Sequence, residues 1–242
     1  MTGELPVPAL PSATMMLLRQ RETVEILMVK RGKEAFFGSA LVFPGGKLDA
    51  HDQSEDWTEL LEGAAELDGL ERALRVAGWR ELYEETGLLP FAKADAMPPG
   101  EQDFAGLVRG LGQKLPLGGM VPFARWITPS RAPKRFDTYF YLCALDGDDA
   151  VCDGFETVAA EWISPRKALE LGEARERLLL FPTKAQLRRL AEHESIEAIF
   201  AAARANVVVP IEPRPVKRDG RIFITIPPGL GYAICEDEFI KG

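Results

Sequence analysis

Glu81, Glu84 and Glu85 stand at i, i+3 and i+4 in the run Arg80-Glu81-Leu82-Tyr83-Glu84-Glu85-Thr86-Gly87-Leu88. A helix advances about 100° per residue, so the three carboxylates would share one face. Left alone they repel, and acids near a helix C-terminus also oppose the macrodipole. A hard divalent cation removes that penalty, because Mg2+ takes oxygen ligands and binds through a few carboxylates together with substrate phosphates and water. Arg80 can reach Glu84 at i+4 and hold it in place. Taken alone, an acidic helical face is more often a solvated surface than a metal site. Here, however, Gly45-Gly46 precede the helix and Gly87 ends it. A glycine loop lets free backbone groups approach a ligand closely.

Those side chains need a scaffold. Asp68-Gly69-Leu70-Glu71 reads as an N-cap with an acid three residues on, so a helix is expected from there to Thr86, with Gly87 as its stop. Leu74, Trp79, Leu82 and Tyr83 give that helix an apolar stripe to pack on a sheet. Strands are expected at Met15 to Leu18, Val24 to Lys30 and Ala40 to Phe43, the last ending at Pro44-Gly45-Gly46. A short helix is expected over Asp56 to Leu67 and another near Phe104 to Leu111. Further strands are expected at Met120 to Ile127, Phe136 to Ala144 and Thr157 to Ile163, and Ser164-Pro165 should open a helix. Residues 183–204 read as a helix or helix pair, and Val207 to Ile234 returns to β character. Strands, then helix, then strands again indicate an α+β sandwich rather than a regular parallel βαβ array.

Composition bounds the partners. The chain has 242 residues, 46% hydrophobic and 27% charged, which suits one large or two small domains with a real core. No run of about 18 apolar residues predicts a membrane-spanning helix, and the N-terminal stretch lacks the basic head of a signal peptide. Cys143, Cys152 and Cys235 are odd in number and widely spaced, as in a reducing cytosol, so a cytoplasmic location is expected. They are read as core residues. A net charge of −8 opposes adhesion to nucleic acid.

Gly46 followed by Arg80-Glu81-Leu82-x-Glu84-Glu85-x-Gly87-Leu88 resembles the box of the Nudix family, G-x5-E-x7-R-E-U-x-E-E-x-G-U with U aliphatic. The second half matches throughout. The first half departs: Gly46 stands 34 positions before Arg80 instead of 14, an insertion of 20 residues, and Asp52 occupies the place of the first glutamate. Phe43-Pro44-Gly45-Gly46-x-x-Asp49-x-x-Asp52 is similar to the segment of Nudix enzymes that cleave coenzyme A and its thioesters, the branch with a long insert in the box. Arg135-Phe136-Asp137-Thr138-Tyr139-Phe140, Glu156 ahead of Trp162-Ile163-Ser164-Pro165, and Phe181-Pro182-Thr183 extend the likeness.

The resemblance implies a Nudix fold, a mixed β-sheet sandwiched between helices, with an inserted helical segment in the box at about 49–70 and extra C-terminal helices and strands at about 183–242 of a single domain. It implies hydrolysis of a nucleoside diphosphate linked to another moiety, with coenzyme A or acyl-CoA favoured over ADP-ribose, NADH and dinucleotides. A nucleotide-sensing module without catalysis is the alternative from another class. Mg2+ or Mn2+ would sit on Glu81, Glu84 and Glu85 with the Gly45 or Gly46 carbonyl, and would neutralise phosphate oxygens. The general base is Glu84 or Glu85, with Glu156 second. Arg31, Arg131, Lys134 and Arg135 are candidate phosphate clamps. His51 is read as a surface residue of the insert, and His193 carries no expected role. The expected partner is a small-molecule nucleotide, with no nucleic acid and no membrane; a homodimer is left open.

Overall fold

Period-2 burial builds the centre of the molecule. In a computed structural model that describes residues 7–32, 40–91, 103–145 and 157–239, β1 (Leu10–Gln20) turns Met16 and Leu18 to one face and Ala13, Met15 and Leu17 to the other. β2 (Val24–Arg31) divides Ile26 and Met28 from Leu27 in the same way. Apolar residues on both faces require cover on both sides, which is what a sandwiched sheet supplies.

The remaining elements follow in chain order. β3 (Leu41–Val42) stops before Pro44 as expected. Gly45-Gly46, expected in a loop, instead turn straight into β4 (Gly45–Lys47) and pair with β1, because Gly45 without a Cβ can lie against its backbone. β5 (Leu61–Glu62) lies in the insert. α1 (Gly69–Thr86) and α2 (Phe104–Gly110) precede β6 (Leu115–Pro116), β7 (Val121–Ile127), β8 (Phe136–Ala144) and β9 (Thr157–Ile163). Then come α3 (Pro165–Glu173), α4 (Phe181–Leu190) and α5 (Ile196–Ala205), followed by β10 (Pro210–Ile211), β11 (Arg214–Arg218), β12 (Arg221–Thr225) and β13 (Glu236–Glu238). The main sheet runs β10-β7-β8-β1-β2-β3, with β4 also on β1 and β9 also on β2. It is mixed: β1 lies parallel to β8 and antiparallel to β2 and β4. One face is covered by α1, α2 and Trp57 of the insert, the other by α4, α5 and residues of the C-terminal segment including Ile211 and Ile226.

α1 has the expected ends. Asp68 accepts a hydrogen bond from the Glu71 amide at 2.8 Å, and Gly87 closes the helix at φ 68°, its amide donating to the Tyr83 carbonyl at 2.7 Å. Ser164 caps α3, and the alanine-rich stretch after 183 resolves into the pair α4 and α5.

The insert differs from expectation. Instead of a helix over Asp56 to Leu67 it holds two one-turn 3-10 helices, His51–Gln53 and Glu55–Trp57, and then β5, paired in parallel with β6. The reason is at Gly63, which has φ 71° and sits so close to Gly118 that a Cβ would meet its backbone nitrogen at 2.7 Å. A chain committed to left-handed backbone and strand pairing there cannot continue a helix.

Candidate active site

α1 crosses the sheet with its last two turns against the glycine turn, and close approach is what places the carboxylates. Gly45 has φ 149°, and a Cβ on it would meet the Ala13 carbonyl oxygen at 2.3 Å. Only glycine fits that contact with β1, and the contact aims the Gly45 amide at α1, where it donates to Glu85 Oε2 at 3.0 Å. A Cβ on Gly46 would meet the Glu81 carboxyl carbon at 2.3 Å, so the missing side chain is the space Glu81 occupies. Glu85 is buried, and Glu81 and Glu84 are nearly so. The acidic face therefore meets the glycine turn and is not a solvated surface.

Arg80 ties the group together. Its Nη1 donates to Glu84 Oε2 at 2.8 Å and to Glu81 Oε1 at 3.0 Å. Nε and Nη2 fork onto the two oxygens of Asp52 at 2.8 and 2.9 Å, and Nη2 also donates to the Lys47 carbonyl at 3.1 Å. Burial opposes its charge, but the Asp52 hydrogen bonds and the Glu81, Asp52 and Glu84 charges outweigh this and raise its pKa. Glu84 shows the reverse balance. Burial, with the Glu81 and Asp52 charges, pushes its carboxyl up to about 7 although Arg80 pulls it down. The charge around Arg80 is thus in acidic excess, with Asp52, Glu81 and Glu84 facing one guanidinium.

Asp52 sits at the box's first acidic position, six residues after Gly46, and is 2% exposed. Sequence reasoning placed it there without assigning it a role; the signal was the spacing itself. The inserted residues between Asp52 and Arg80 loop out and leave the pair intact. Asp52 is held in turn by the Asp49 amide at 2.8 Å.

Arg131 is exposed in the turn between β7 and β8, where Lys134 extends over the Phe136 ring at 5.2 Å. Arg135 is buried: Nε donates to the Thr128 carbonyl at 3.0 Å, Nη1 donates to Val7 at 2.9 Å, and Glu212 lies 3.6 Å away. Arg31 ends β2 opposite Thr157, with its side chain outside the described residues, as are Glu156 and Cys152. His51 is exposed in the insert, and Cys143 and Cys235 are free thiols, Cys143 buried.

Among the described residues, no three His, Cys, Asp or Glu side chains already converge on one point as a finished cation cage. Glu81 and Glu84 are drawn to Arg80, and Glu85 to the Gly45 amide. The donor set nevertheless fits a hard divalent ion: three carboxylates beside a glycine pair that has given up a side chain to bring one of them in, with Asp52, Glu81 and Glu84 together around the Arg80 guanidinium.

The NUDIX domain model matches residues 9–182, most of the chain. The chain belongs to the Nudix family. Within it, this Nudix protein is 29% identical over 227 residues to putative nudix hydrolase 7 of Caenorhabditis elegans, covering 88% of this chain and 71% of that protein. It is 27% identical over 246 residues to acyl-coenzyme A diphosphatase NUDT19 of Gallus gallus (75% of this chain, 65% of that protein). The same identity and length hold for NUDT19 of Homo sapiens (76% and 65%). The chain thus spans just under two thirds of these two relatives. The crystal structure of a NUDIX hydrolase from Alicyclobacillus acidocaldarius superposes with a TM-score of 0.66 at 27% identity, covering 80% of this chain and 96% of that one. No described helix is long and apolar enough to cross a membrane.

Proposed function

We propose that this Nudix hydrolase cleaves the pyrophosphate bond of a nucleoside diphosphate linked to another moiety, with coenzyme A or an acyl-CoA as the favoured substrate, in a reducing cytosol. The observation that carries the reading is the seating of Glu81, Glu84 and Glu85 against Gly45-Gly46, with Arg80 locked behind them by Asp52. The substrate preference rests on the acyl-coenzyme A diphosphatases at 27% identity and on the inserted box. The free thiols of Cys143 and Cys235 support the compartment.

Glu81, Glu84 and Glu85, with the Gly46 carbonyl, would hold Mg2+ or Mn2+. Such an ion supplies charge neutralisation at the phosphate oxygens and polarises phosphorus. The chain's own residues do the rest by position. Glu84 is the favoured group to take the proton of the attacking water, because Arg80 fixes its direction. Glu85 is held by the Gly45 amide, which lowers its freedom to move. Glu156, which precedes β9 in the sequence, is the second choice of base. Arg31 and Arg131 are the proposed phosphate contacts. Arg135, tied to two carbonyls, would act by fixing the β7–β8 turn that carries Arg131.

The test is a panel of coenzyme A, acyl-CoA, NADH, ADP-ribose and diadenosine polyphosphates assayed for diphosphate cleavage with Mg2+ and Mn2+. Fastest turnover of coenzyme A or its thioesters, abolished by chelator, is expected. Preferred cleavage of another member reassigns the substrate. Tight nucleotide binding without turnover would make the chain a sensing module instead.

A further inference from the structure

The insertion of 20 residues raises a physical problem that the box alone does not solve. Asp52 and Arg80 are 28 positions apart, and closing a longer loop costs more chain entropy. Asp52 is also almost fully buried, so it is costly to leave without its cation. Something in the insert has to hold the short segment bearing Asp52 against α1.

Trp57 is placed to do so. It is 3% exposed and packs in the same core as α1. Its ring lies 5.7 Å from Phe104 of α2, and Phe104 in turn stacks on Tyr83 at 5.8 Å and 27°. Tyr83 is the residue before Glu84, so the aromatic column ends on the turn of α1 that bears the acidic group. The other end of the indole faces the Asp52 segment: Nε1 donates to the His51 carbonyl at 3.0 Å, the first residue of the one-turn helix with Asp52 at its centre. The indole thus connects the two partners that must meet, holding α1 through its ring and the Asp52 turn through its N–H.

We propose that Trp57 is a positioning residue, an anchor by which the inserted segment sets Asp52, and through Asp52 the Arg80 guanidinium that aims Glu81 and Glu84. This rests on the proposed hydrolytic function for its kinetic consequence but not for its structural one. Groups that orient a reacting centre from behind commonly alter rates by one to two orders of magnitude. Trp57 touches no reacting atom, so its effect should fall on kcat.

The test uses Trp57→Phe, which keeps an aromatic ring for the Phe104 contact and removes the N–H, because Trp57→Ala would open a cavity in the core. Working below both unfolding transitions, kcat is expected to fall about ten-fold with KM within about two-fold. In an Asp52→Asn background the same substitution should have almost no further effect, since the two act in series. Independently of any substrate, the Arg80 Nε–H resonance, assigned by its loss in Arg80→Lys, should exchange with solvent about ten-fold faster in Trp57→Phe than in the parent. Parent-like exchange at Arg80 overturns the proposal, as do additive kinetic effects of Trp57→Phe and Asp52→Asn. If no panel compound is hydrolysed, the proposed function fails while the Arg80 resonance still decides the role of Trp57. If Glu84→Gln abolishes turnover while Trp57→Phe changes neither kcat nor Arg80 exchange, the function stands and the anchor does not.

Discussion

At the scale of single residues, the described part of the site sets the Arg80 guanidinium among three facing carboxylates. Arg80 is shared by Asp52, Glu81 and Glu84, and the surplus negative charge shows in Glu84, pushed up to about 7 by burial and its acidic neighbours. The folded, cation-free protein then retains a proton that the unfolded chain, with Glu84 at its ordinary 4.5, has released. Stability should therefore fall as pH rises from about 4.5 to about 7 and level off above, by about 1–2 kcal/mol after allowing for partial solvent access. Urea unfolding in chelator from about pH 5 to pH 8 should show this slope in the parent and a flat profile in Glu84→Gln. Chemistry at the same residues predicts that Glu84→Gln or Glu85→Gln lowers Mg2+-dependent cleavage by about two or more orders of magnitude, as loss of a charge-stabilising or proton-moving group does. Full activity of both variants would exclude these carboxylates from the reaction.

At the scale of elements, the glycine turn and α1 succeed or fail together, and the two glycines fail differently. Gly45→Ala forces a Cβ into the backbone of β1 at a φ that side chains rarely adopt. Backbone cannot yield as a side chain can, so a loss of about 2–4 kcal/mol is expected, visible as a lower denaturant midpoint. Gly46→Ala instead meets the end of the Glu81 side chain, which can swing aside. Its stability should change by less than about 1 kcal/mol while calorimetric Mn2+ affinity falls about ten-fold or more. Equal damage to stability from both substitutions would mean that Gly46 is there for the turn and not for Glu81. α1 was legible because its signals are local: Asp68 caps it, Gly87 stops it, and Leu74, Trp79, Leu82 and Tyr83 are buried as their spacing requires. The insert was not, because Gly63 obeys a distant contact with Gly118 that no local pattern records.

At the scale of the molecule, the two cores on either side of the main sheet are built from different parts of the chain. The acidic helix covers one face, while the other is closed by α4, α5 and C-terminal residues beyond the matched family region. Tyr232 connects that segment to the sheet. Its hydroxyl lies 3.2 Å from Trp126 Nε1, 3.3 Å from Gln186 Nε2 and 3.4 Å from Arg189 Nη1, and its ring packs edge-on to Trp126. Tyr232→Phe leaves these donors without their oxygen, and thermal unfolding should register a loss of about 1–3 kcal/mol with KM for the nucleotide unchanged. A comparable loss of activity without loss of stability would place the C-terminal segment at the site.

The sequence by itself determined the helix with its caps, the apolar runs of β1 and β2, the strand β8, and the carboxylate spacing, since each depends on neighbours within a turn or a strand. That Arg80 can reach Glu84 was legible for the same reason, four residues being one turn. Tertiary structure alone decided that Asp52 returns to Arg80 across the insertion, that Arg135 is engaged by carbonyls, and that the glycine turn meets Glu81 and Glu85. Apart from the Arg135–Thr128 bond, those pairings join residues 28 to 128 positions apart. Their distance is set by how the sheet and helix pack, and packing is a property of the whole chain.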